Sequence, residues 1–392
     1  MKKLTFLGDV MCDGKMASTL ELYKDDITGE YDFGKVFLHL SELLSKSDYV
    51  IANLETPLSR NGDYLTKKRW EFNTPYQFAK ALMDAGVDFV STANNHCLDR
   101  GIDGLAETTR CLDEIGMDHG GTSIHGNDDY KIITLDGLKV AVLVLTYGTN
   151  AFSNHYYLPF KYRNSVNLLQ EQEGATERAY KRLFRNRLTR IYYAISHTLY
   201  PGNRGKSDYE KETLSLYRKL KIIKTIRRVL KAKPDFLVAY LHIGGQYNKE
   251  PSDYTKKVTD WFIRHRFDAV IDNHEHVIHP GYWSSRGLIA YALGNCLGCS
   301  GVSDPPFDRR CEYSIALHVY LNEDGEIINT TFSVLRTIMT EQGLFEVWPV
   351  VDLKNSEKYN RWFNQQECLM VAHDFSSKYY SIVREEFDME LI

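Results

Sequence analysis

The 392-residue sequence lacks an apolar run long enough to cross a membrane. A spanning helix needs about 20 predominantly apolar residues, whereas the longest apolar runs, such as residues 140–145, have the length of a strand. The N-terminal segment carries two lysines and only a short apolar stretch before Gly8 and Asp9, too short for an export signal. These absences predict a cytoplasmic protein, with peripheral contact to a membrane as the alternative.

A disulfide framework is also missing. The seven cysteines are an odd number without regular spacing, so we expect free thiols in a reducing compartment. Cys296 and Cys299 form a single C-x-x-C, and one such pair alone is weak evidence for zinc or redox chemistry. Internal repeats and low-complexity segments are absent as well. The remaining composition, 43% apolar and 26% charged, is typical of an ordinary globular protein.

The charge is unevenly distributed along the chain. Residues 178–233 contain 17 Lys and Arg against three Asp and Glu, a net charge of +14. Since the whole chain carries −4, the remainder carries −18. Apolar residues recur here at helical spacing: Tyr180, Phe184, Leu188, Ile191, Ile195, Leu216, Leu220, Ile223, Ile226 and Leu230.

This pattern predicts a basic helical hairpin with two alternative roles. The hairpin could bind an anionic polymer or an anionic membrane surface, or it could dock on the acidic body of the same protein. No nucleic-acid-binding motif accompanies the charge, so we expect no specific nucleic-acid partner.

Strands and helices alternate through the rest of the chain. Strands are predicted at 3–7, 49–53, 88–92, 236–241 and 269–272, with helices at 33–46, 75–86, 101–116 and 254–267. Asp-Gly turns at 136–137 and 324–325 indicate hairpins. The alternation favours an α/β fold with mixed sheets over residues 1–340, interrupted by the basic insertion at 150–233. Residues 341–392 are predicted to be a C-terminal helical extension.

Polar residues follow five of these strands where each ends. They are Asp9; Asn53 and Glu55; Asn94, Asn95 and His96; His242; and Asn273, His274, Glu275 and His276. Active sites of open α/β sheets gather at the carboxyl ends of the strands. We therefore expect these loops to converge on one metal site.

The stretch AVIDNHEHVIHP, residues 269–280, carries most of the imidazoles. His274 and His276 are two residues apart, so in an extended segment they would point the same way. Taken alone, a turn rich in histidine is the more ordinary explanation. Mixed carboxylate, amide and imidazole donors suit one or two ions of manganese, iron or zinc better than calcium.

Six ordered motifs, GDVM, NLETPLS, STANNHCLDRG, LHIGG, DNHEHVIHP and YALGN, resemble the bacterial poly-γ-glutamate capsule proteins called CapA (the PGA_cap family), which are related to the calcineurin-like metallophosphoesterases. The resemblance runs from residue 3 to about 297 and skips the basic insertion. It implies a four-layer α/β/β/α metallophosphoesterase-like sandwich, with metals at one sheet edge.

By motif position, the resemblance implies a set of site residues. The metal ligands would be Asp9, Glu55, Asn95, His242, His274 and His276. Glu55 would bridge two ions, and His96 would lie near the leaving group as the catalytic residue. Apart from the resemblance, Asp99 and Arg100 follow the His96 loop, and we expect them, with Asn53 and Asn94, to support these groups or contact substrate.

Three positions depart from the related pattern. Met11 stands where phosphoesterases have a histidine, so we expect the ion held by Asn95, His242 and His274 to be the tighter one. The bridging position is glutamate rather than aspartate. Gln246 replaces a glutamate found in many relatives, so this chain lacks that carboxylate.

Two functions follow. The first is a metal-dependent hydrolase of a phosphoester or γ-glutamyl bond, linked to capsule or cell-surface polymer metabolism and acting on an anionic polymer or a phosphorylated substrate. The alternative is a non-catalytic, metal-binding component that handles or exports an anionic polymer. Contact with a membrane through 178–233 is compatible with both.

Overall fold

The computed structural model describes residues 1–61, 64, 66, 71–126, 130–172, 187–199, 214–298 and 309–376. Tyr180 and Phe184, which belong to the predicted basic hairpin, lie outside these residues.

Sixteen strands are described. They are β1 (Lys2–Val10), β2 (Tyr49–Leu54), β3 (Leu58–Ser59), β4 (Thr74–Pro75), β5 (Phe89–Ser91), β6 (Asp118–Gly120), β7 (Tyr130–Leu135), β8 (Leu138–Thr146), β9 (Phe236–His242), β10 (Ala269–Ile271), β11 (Ile278–Ser284), β12 (Gly287–Leu293), β13 (Asn295–Leu297), β14 (Tyr313–Leu321), β15 (Ile327–Met339) and β16 (Phe345–Pro349).

The described α-helices are α1 (Gly14–Ala17), α2 (Gly34–Phe37), α3 (Ser41–Leu44), α4 (Gln77–Asp84), α5 (Gly101–Ile115), α6 (Arg187–Leu199), α7 (Leu216–Lys231), α8 (Asp253–Arg264), α9 (Val350–Asn355) and α10 (Gln365–Ser376). Short 3₁₀ turns occur at Leu20–Tyr23, Leu38–Leu40, Phe160–Tyr162, Arg309–Glu312 and Asn360–Trp362. The predicted strands and helices outside the basic segment are confirmed, except that the helix expected at 33–46 is broken into short pieces.

Two mixed sheets form the body, which confirms the predicted α/β fold. The first sheet has the order β16-β15-β14-β1-β2-β5-β6, and β13 also pairs with β1. Its β1, β2, β5 and β6 are parallel, whereas β14, β15 and β16 are antiparallel. The second sheet has the order β11-β12-β10-β9-β8-β7, with a parallel centre and an antiparallel strand at each edge.

The apolar residues show how the layers pack. Strand β8 is apolar and buried from Val140 to Leu145, as expected for a strand that is covered on both faces. Val140, Val142 and Val144 lie in the central core together with residues of the first sheet, while Ala141 and Leu143 pack with α7 and α8 on the outside. The outer face of the first sheet packs against α1 to α5. The layers therefore run helices, sheet, sheet, helices.

The basic segment differs from its predicted packing. Helix α7 exists, but it buries Ile222, Ile226 and Val229 against the second sheet. The predicted apolar face was wrong for Leu216 and Leu220, which are 72% and 58% exposed. The physical reason is that the buried face lies about half a turn round the helix from those leucines.

The C-terminal residues join the body in two places. Strand β16 extends the first sheet, and α10 places Val371, Ala372 and Phe375 in the central core. The division of the chain into units at 150, 233 and 341 stays a prediction.

Within the described residues, no helix combines the length and the apolar character needed to cross a membrane. Six cysteines are described, and all six are free and buried, as expected for reduced thiols.

Candidate metal centre

The carboxyl ends of the central strands of both sheets meet at one site. Asp9 of β1 is in parallel register with Asn53 of β2 and with Asn295 of β13. Gly8 makes this approach possible, since a Cβ there would lie 1.9 Å from the Gly294 carbonyl oxygen. His242 ends β9 in the second sheet and faces Asp9 across the junction.

Asp9 is fully buried and held by several donors. Its Oδ1 accepts a hydrogen bond from Asn53 Nδ2 at 2.7 Å, and its Oδ2 accepts one from the His274 backbone N–H at 3.0 Å. His242 Nδ1 and His276 Nδ1 lie 3.6 and 3.4 Å from the two oxygens. Asn53 Nδ2 also lies 3.1 Å from His242 Nδ1, and the supporting role of Asn53 stays a prediction.

Glu55 follows β2 and has no exposed surface. Neither carboxylate oxygen has a hydrogen-bond partner among the described residues. Ring nitrogens of His242, His276 and His96 surround Oε1 at 3.5, 3.9 and 3.9 Å. An unpaired buried carboxylate is costly unless a cation or a donor meets it.

The loop after β10 is not extended. The expectation that His274 and His276 point the same way because they alternate along an extended segment was therefore wrong. Their φ angles are +92° and +57°, values that residues other than glycine rarely adopt. The chain turns sharply here while the His274 N–H bonds to Asp9. Both rings nevertheless face the site, with centroids 5.8 Å apart. Backbone strain of this kind clusters at functional sites.

His96 lies at the rim, paired with Asp99. His96 Nδ1 is 2.6 Å from Asp99 Oδ2, which also accepts the Phe72 N–H at 2.8 Å. The Phe72 ring stacks on the imidazole at 4.0 Å. Asn94 Oδ1 accepts the His96 N–H at 3.1 Å, which fixes the loop that carries the imidazole. The remaining nitrogen, Nε2, points toward Glu55.

Asn95 lies beside His242, with its Oδ1 2.8 Å from His242 Nε2. Support comes from the residues after β8: Asn150 Oδ1 accepts from Asn95 Nδ2 at 3.3 Å, and Asn154 Nδ2 donates to Asp99 Oδ1 at 2.7 Å. The start of the predicted insertion at 150–233 thus contacts two site residues.

Charges within the cluster perturb one another. Burial alone would raise the pKa of Asp9, but His242 and His276 outweigh it and hold that pKa well below its usual value. Burial lowers the pKa of His242, whereas Glu55 and Asp9 raise it to about 10. For His276 the same opposing causes leave a raised pKa. Burial, followed by the facing His242 and His276, keeps the pKa of His274 well below normal.

The donor atoms fit a divalent metal. Two groups have ligand atoms within 4.8 Å of one another: Asp9, Glu55 and His242 form one, and Glu55, His274 and His276 form the other. Glu55 belongs to both, as a bridging ligand would. The histidines divide differently from the sequence expectation, in which His242 and His274 share an ion.

Some site residues were not recognised in the sequence. Asn295 Oδ1 lies 2.9 Å from His276 Nδ1, and a sequence signal for Asn295 was available, since it ends the YALGN motif. Tyr147 packs its ring 4.6 Å from that of His274. Gln246, which the sequence analysis named only as a departure from the related pattern, has its Nε2 3.2 Å from His276 Nε2. Arg100, which was expected near the site, is exposed at the start of α5.

Sequence comparisons identify similar proteins. A family model described as "Bacterial capsule synthesis protein PGA_cap" matches residues 3–299. The capsule biosynthesis protein CapA of Bacillus anthracis is 23% identical over 330 residues, covering 83% of this chain and 65% of that protein. The PGA biosynthesis protein CapA of Bacillus subtilis (strain 168) is 21% identical over 292 residues, covering 74% and 62%. The chain thus spans less than two thirds of the length of these relatives.

Solved structures show a weaker likeness. A putative 5'-nucleotidase from Staphylococcus aureus in complex with alpha-ketoglutarate has a TM-score of 0.42 and 14% identity, covering 93% of this chain and 58% of that chain. A hypothetical protein from Thermus thermophilus has a TM-score of 0.39 and 15% identity, covering 85% and 98%. TM-scores below 0.5 support no conclusion about this chain.

Proposed function

Because the chain belongs to the bacterial capsule synthesis protein PGA_cap family, we propose that it is a metal-dependent hydrolase acting on a phosphoester or γ-glutamyl bond of an anionic capsule or cell-surface polymer. One observation carries this proposal. Glu55, fully buried and without a hydrogen-bond partner among the described residues, is shared by two groups of metal-ligand atoms. A protein that used these residues only for packing would leave both Glu55 oxygens buried without a hydrogen bond, which is costly.

The layer order supports a metallophosphoesterase-like sandwich. Two sheets pack face to face between helical layers, and polar loops from both sheets meet at one edge. This is the arrangement that the ordered motifs imply.

Asp9, Glu55, His242, His274 and His276 would hold the ions, with the Asn95 amide oxygen beside them. The mixture of carboxylate and imidazole donors favours manganese, iron or zinc. Bound there, such ions would polarise a phosphoryl or carbonyl oxygen and offset the negative charge of the transition state.

We propose that His96 moves a proton at the leaving group. Asp99 holds Nδ1 at 2.6 Å and so orients the ring. Nε2 then faces the cluster, 3.9 Å from Glu55 Oε1. A protonated Nε2 would donate to the leaving oxygen or nitrogen as a general acid.

The experiment is metal analysis of purified protein, followed by a metal-supplemented screen of phosphomonoesters, phosphodiesters and γ-glutamyl peptides. Once an active substrate is known, His96→Ala should lower turnover by roughly 10²-fold while the metal content stays unchanged and the protein stays folded. His125→Ala, at an exposed position, is the matched control and should behave as wild type. An unchanged rate in His96→Ala would remove this residue from the mechanism.

A non-catalytic role in handling or exporting an anionic polymer is the second candidate. The capsule-synthesis family and the cations of α7, which has seven Lys and Arg and no acidic residue, favour it. In that case the protein would bind metal and polymer, and the substrate screen would find no turnover.

A further inference from the structure

Helix α7 has a solvent face that its packing does not use. The helix lies on the second sheet through Ile222, Ile226 and Val229. On the opposite side a single stripe runs along the helix at spacings of four, four, three and four residues. We call it the outward face of α7, and its residues are Leu216, Leu220, Lys224, Arg227 and Lys231.

The chemistry of this face changes along the helix. Leu216 and Leu220, one turn apart, are 72% and 58% exposed. The three cations follow over the next turns and are also exposed. Single exposed leucines are common on soluble proteins, but leucines aligned with a row of cations form an amphipathic surface of a different kind.

We propose that the outward face of α7 docks on an anionic lipid bilayer, with the helix axis parallel to the membrane. The cations would meet the lipid phosphates, and the two leucines would enter the boundary between headgroups and acyl chains. A soluble polyanion would account for the cations but would leave the leucines in water. The leucines therefore favour the bilayer.

The helix is suited to lying on a membrane rather than crossing it. Its 16 residues span about 24 Å at 1.5 Å per residue, less than the hydrocarbon core, and they carry seven cations. Two hydrogen bonds from Arg218 anchor the helix to the rest of the protein. Arg218 Nε donates to Glu171 Oε1 at 3.1 Å, and Arg218 Nη1 donates to the Leu168 carbonyl at 3.2 Å.

Helix α6 lies next to the start of α7. Burial raises the pKa of Tyr192 in α6, with further effects from the nearby Arg218 and Tyr217 of α7. Ile191 and Ile195 of α6 are 43% and 54% exposed. They add exposed apolar surface to the helix that precedes α7 in the chain.

The test is sedimentation of the full chain with vesicles of phosphatidylcholine containing about one third phosphatidylglycerol, compared with pure phosphatidylcholine. Binding should require the anionic lipid. It should also weaken as salt rises from about 0.01 M to about 0.1 M, because the Debye length shortens from roughly 30 Å to about 10 Å.

Two variants separate charge from apolar insertion. Reversing Lys224, Arg227 and Lys231 to glutamate should lower partitioning by about 100-fold or more. Changing Leu216 and Leu220 to serine should lower it by roughly tenfold with every charge intact. Ile27→Ser is the matched control, since Ile27 is 94% exposed at a distant part of the chain, and it should bind as wild type.

Several outcomes would overturn the proposal. One is absence of vesicle binding at low salt. Another is that the variant with serine at positions 216 and 220 binds vesicles as wild type does, while poly-γ-glutamate displaces the vesicles from the protein. That result would identify the outward face of α7 as a binding site for a soluble polymer. His96→Ala should bind vesicles normally, so failure of the proposed hydrolase activity and failure of membrane docking can be told apart.

Discussion

Glu55 carries a buried negative charge whose ion-pair partners in the described structure are all histidines. We expect Glu55→Gln to weaken metal binding by at least about 100-fold, because one neutralised side chain removes a donor from both ligand groups. Elemental analysis and thermal shift with added manganese or zinc would measure the loss. Glu42→Gln is the control, since the Glu42 side chain is 82% exposed. Equal metal content in the two variants would contradict the shared-ligand assignment.

His318 shows a second kind of buried residue, with a structural role far from the metal centre. It lies between Thr5 Oγ1 at 2.8 Å and Ser333 Oγ at 3.2 Å. Burial, together with nearby Lys3, keeps its pKa well below 6.5. The unfolded chain therefore binds a proton below about pH 6.5 that the folded chain does not.

We predict that His318 makes the folded state less stable in acid. Its contribution to the free energy of unfolding should fall by about 1.4 kcal/mol per pH unit below about pH 6.5. Urea unfolding at several pH values should show a shallower loss for His318→Gln than for wild type. His125→Gln, exposed in a loop, should keep the wild-type slope. An unchanged slope in His318→Gln would mean that other groups cause the acid sensitivity.

At the scale of elements, the loop after β9 depends on Gly244. Its φ is +99°, and a Cβ at this position would lie 1.9 Å from Glu275 Oε1. Glu275 accepts the Gly245 N–H at 3.0 Å, and the same loop brings Gln246 to His276. The loop therefore links the end of β9 to the histidine loop after β10.

Gly244→Ala should destabilise the protein by more than the roughly 1 kcal/mol expected for a positive-φ glycine alone, because the added methyl group also displaces a buried carboxylate. Gly116→Ala is the matched control: its φ is +79°, and a Cβ there meets no atom within 4 Å. Chemical denaturation of both variants gives the comparison. Equal losses would show that the Glu275 contact costs nothing.

At the scale of the whole molecule, a substitution in α10 can test whether the C-terminal residues unfold together with the main body. Phe375 is fully buried and its ring lies 5.2 Å from that of Phe332 in β15. Phe375→Ala should cost about 3–5 kcal/mol in a cooperative unfolding transition. Leu369→Ala on the same helix is the control, because Leu369 is 41% exposed and should cost far less. A small loss for Phe375→Ala would identify α10 as an independent extension.

Local patterns in the sequence were sufficient to predict the secondary-structure elements and most residues of the candidate site. Apolar runs, glycine-terminated helices and Asp-Gly turns are short-range signals, and they predicted most strands, helices and hairpins. The predicted ligands and His96 each lie near the carboxyl end of a strand or in the loop after it: Asp9, Glu55, Asn95, His96, His242, His274 and His276. Parallel strands align their carboxyl ends, so topology alone brings such residues together.

Only the tertiary structure decided contacts between segments distant in the chain. Examples are the Asp99–Asn154 hydrogen bond and the Asn295–His276 contact. Nothing in the local sequence around either residue of these pairs predicts its partner. The same is true of the helical face that α7 buries. Its periodicity predicts an amphipathic helix, but the second sheet determines which stripe is covered, because the free energy of burial depends on the surface that the helix meets.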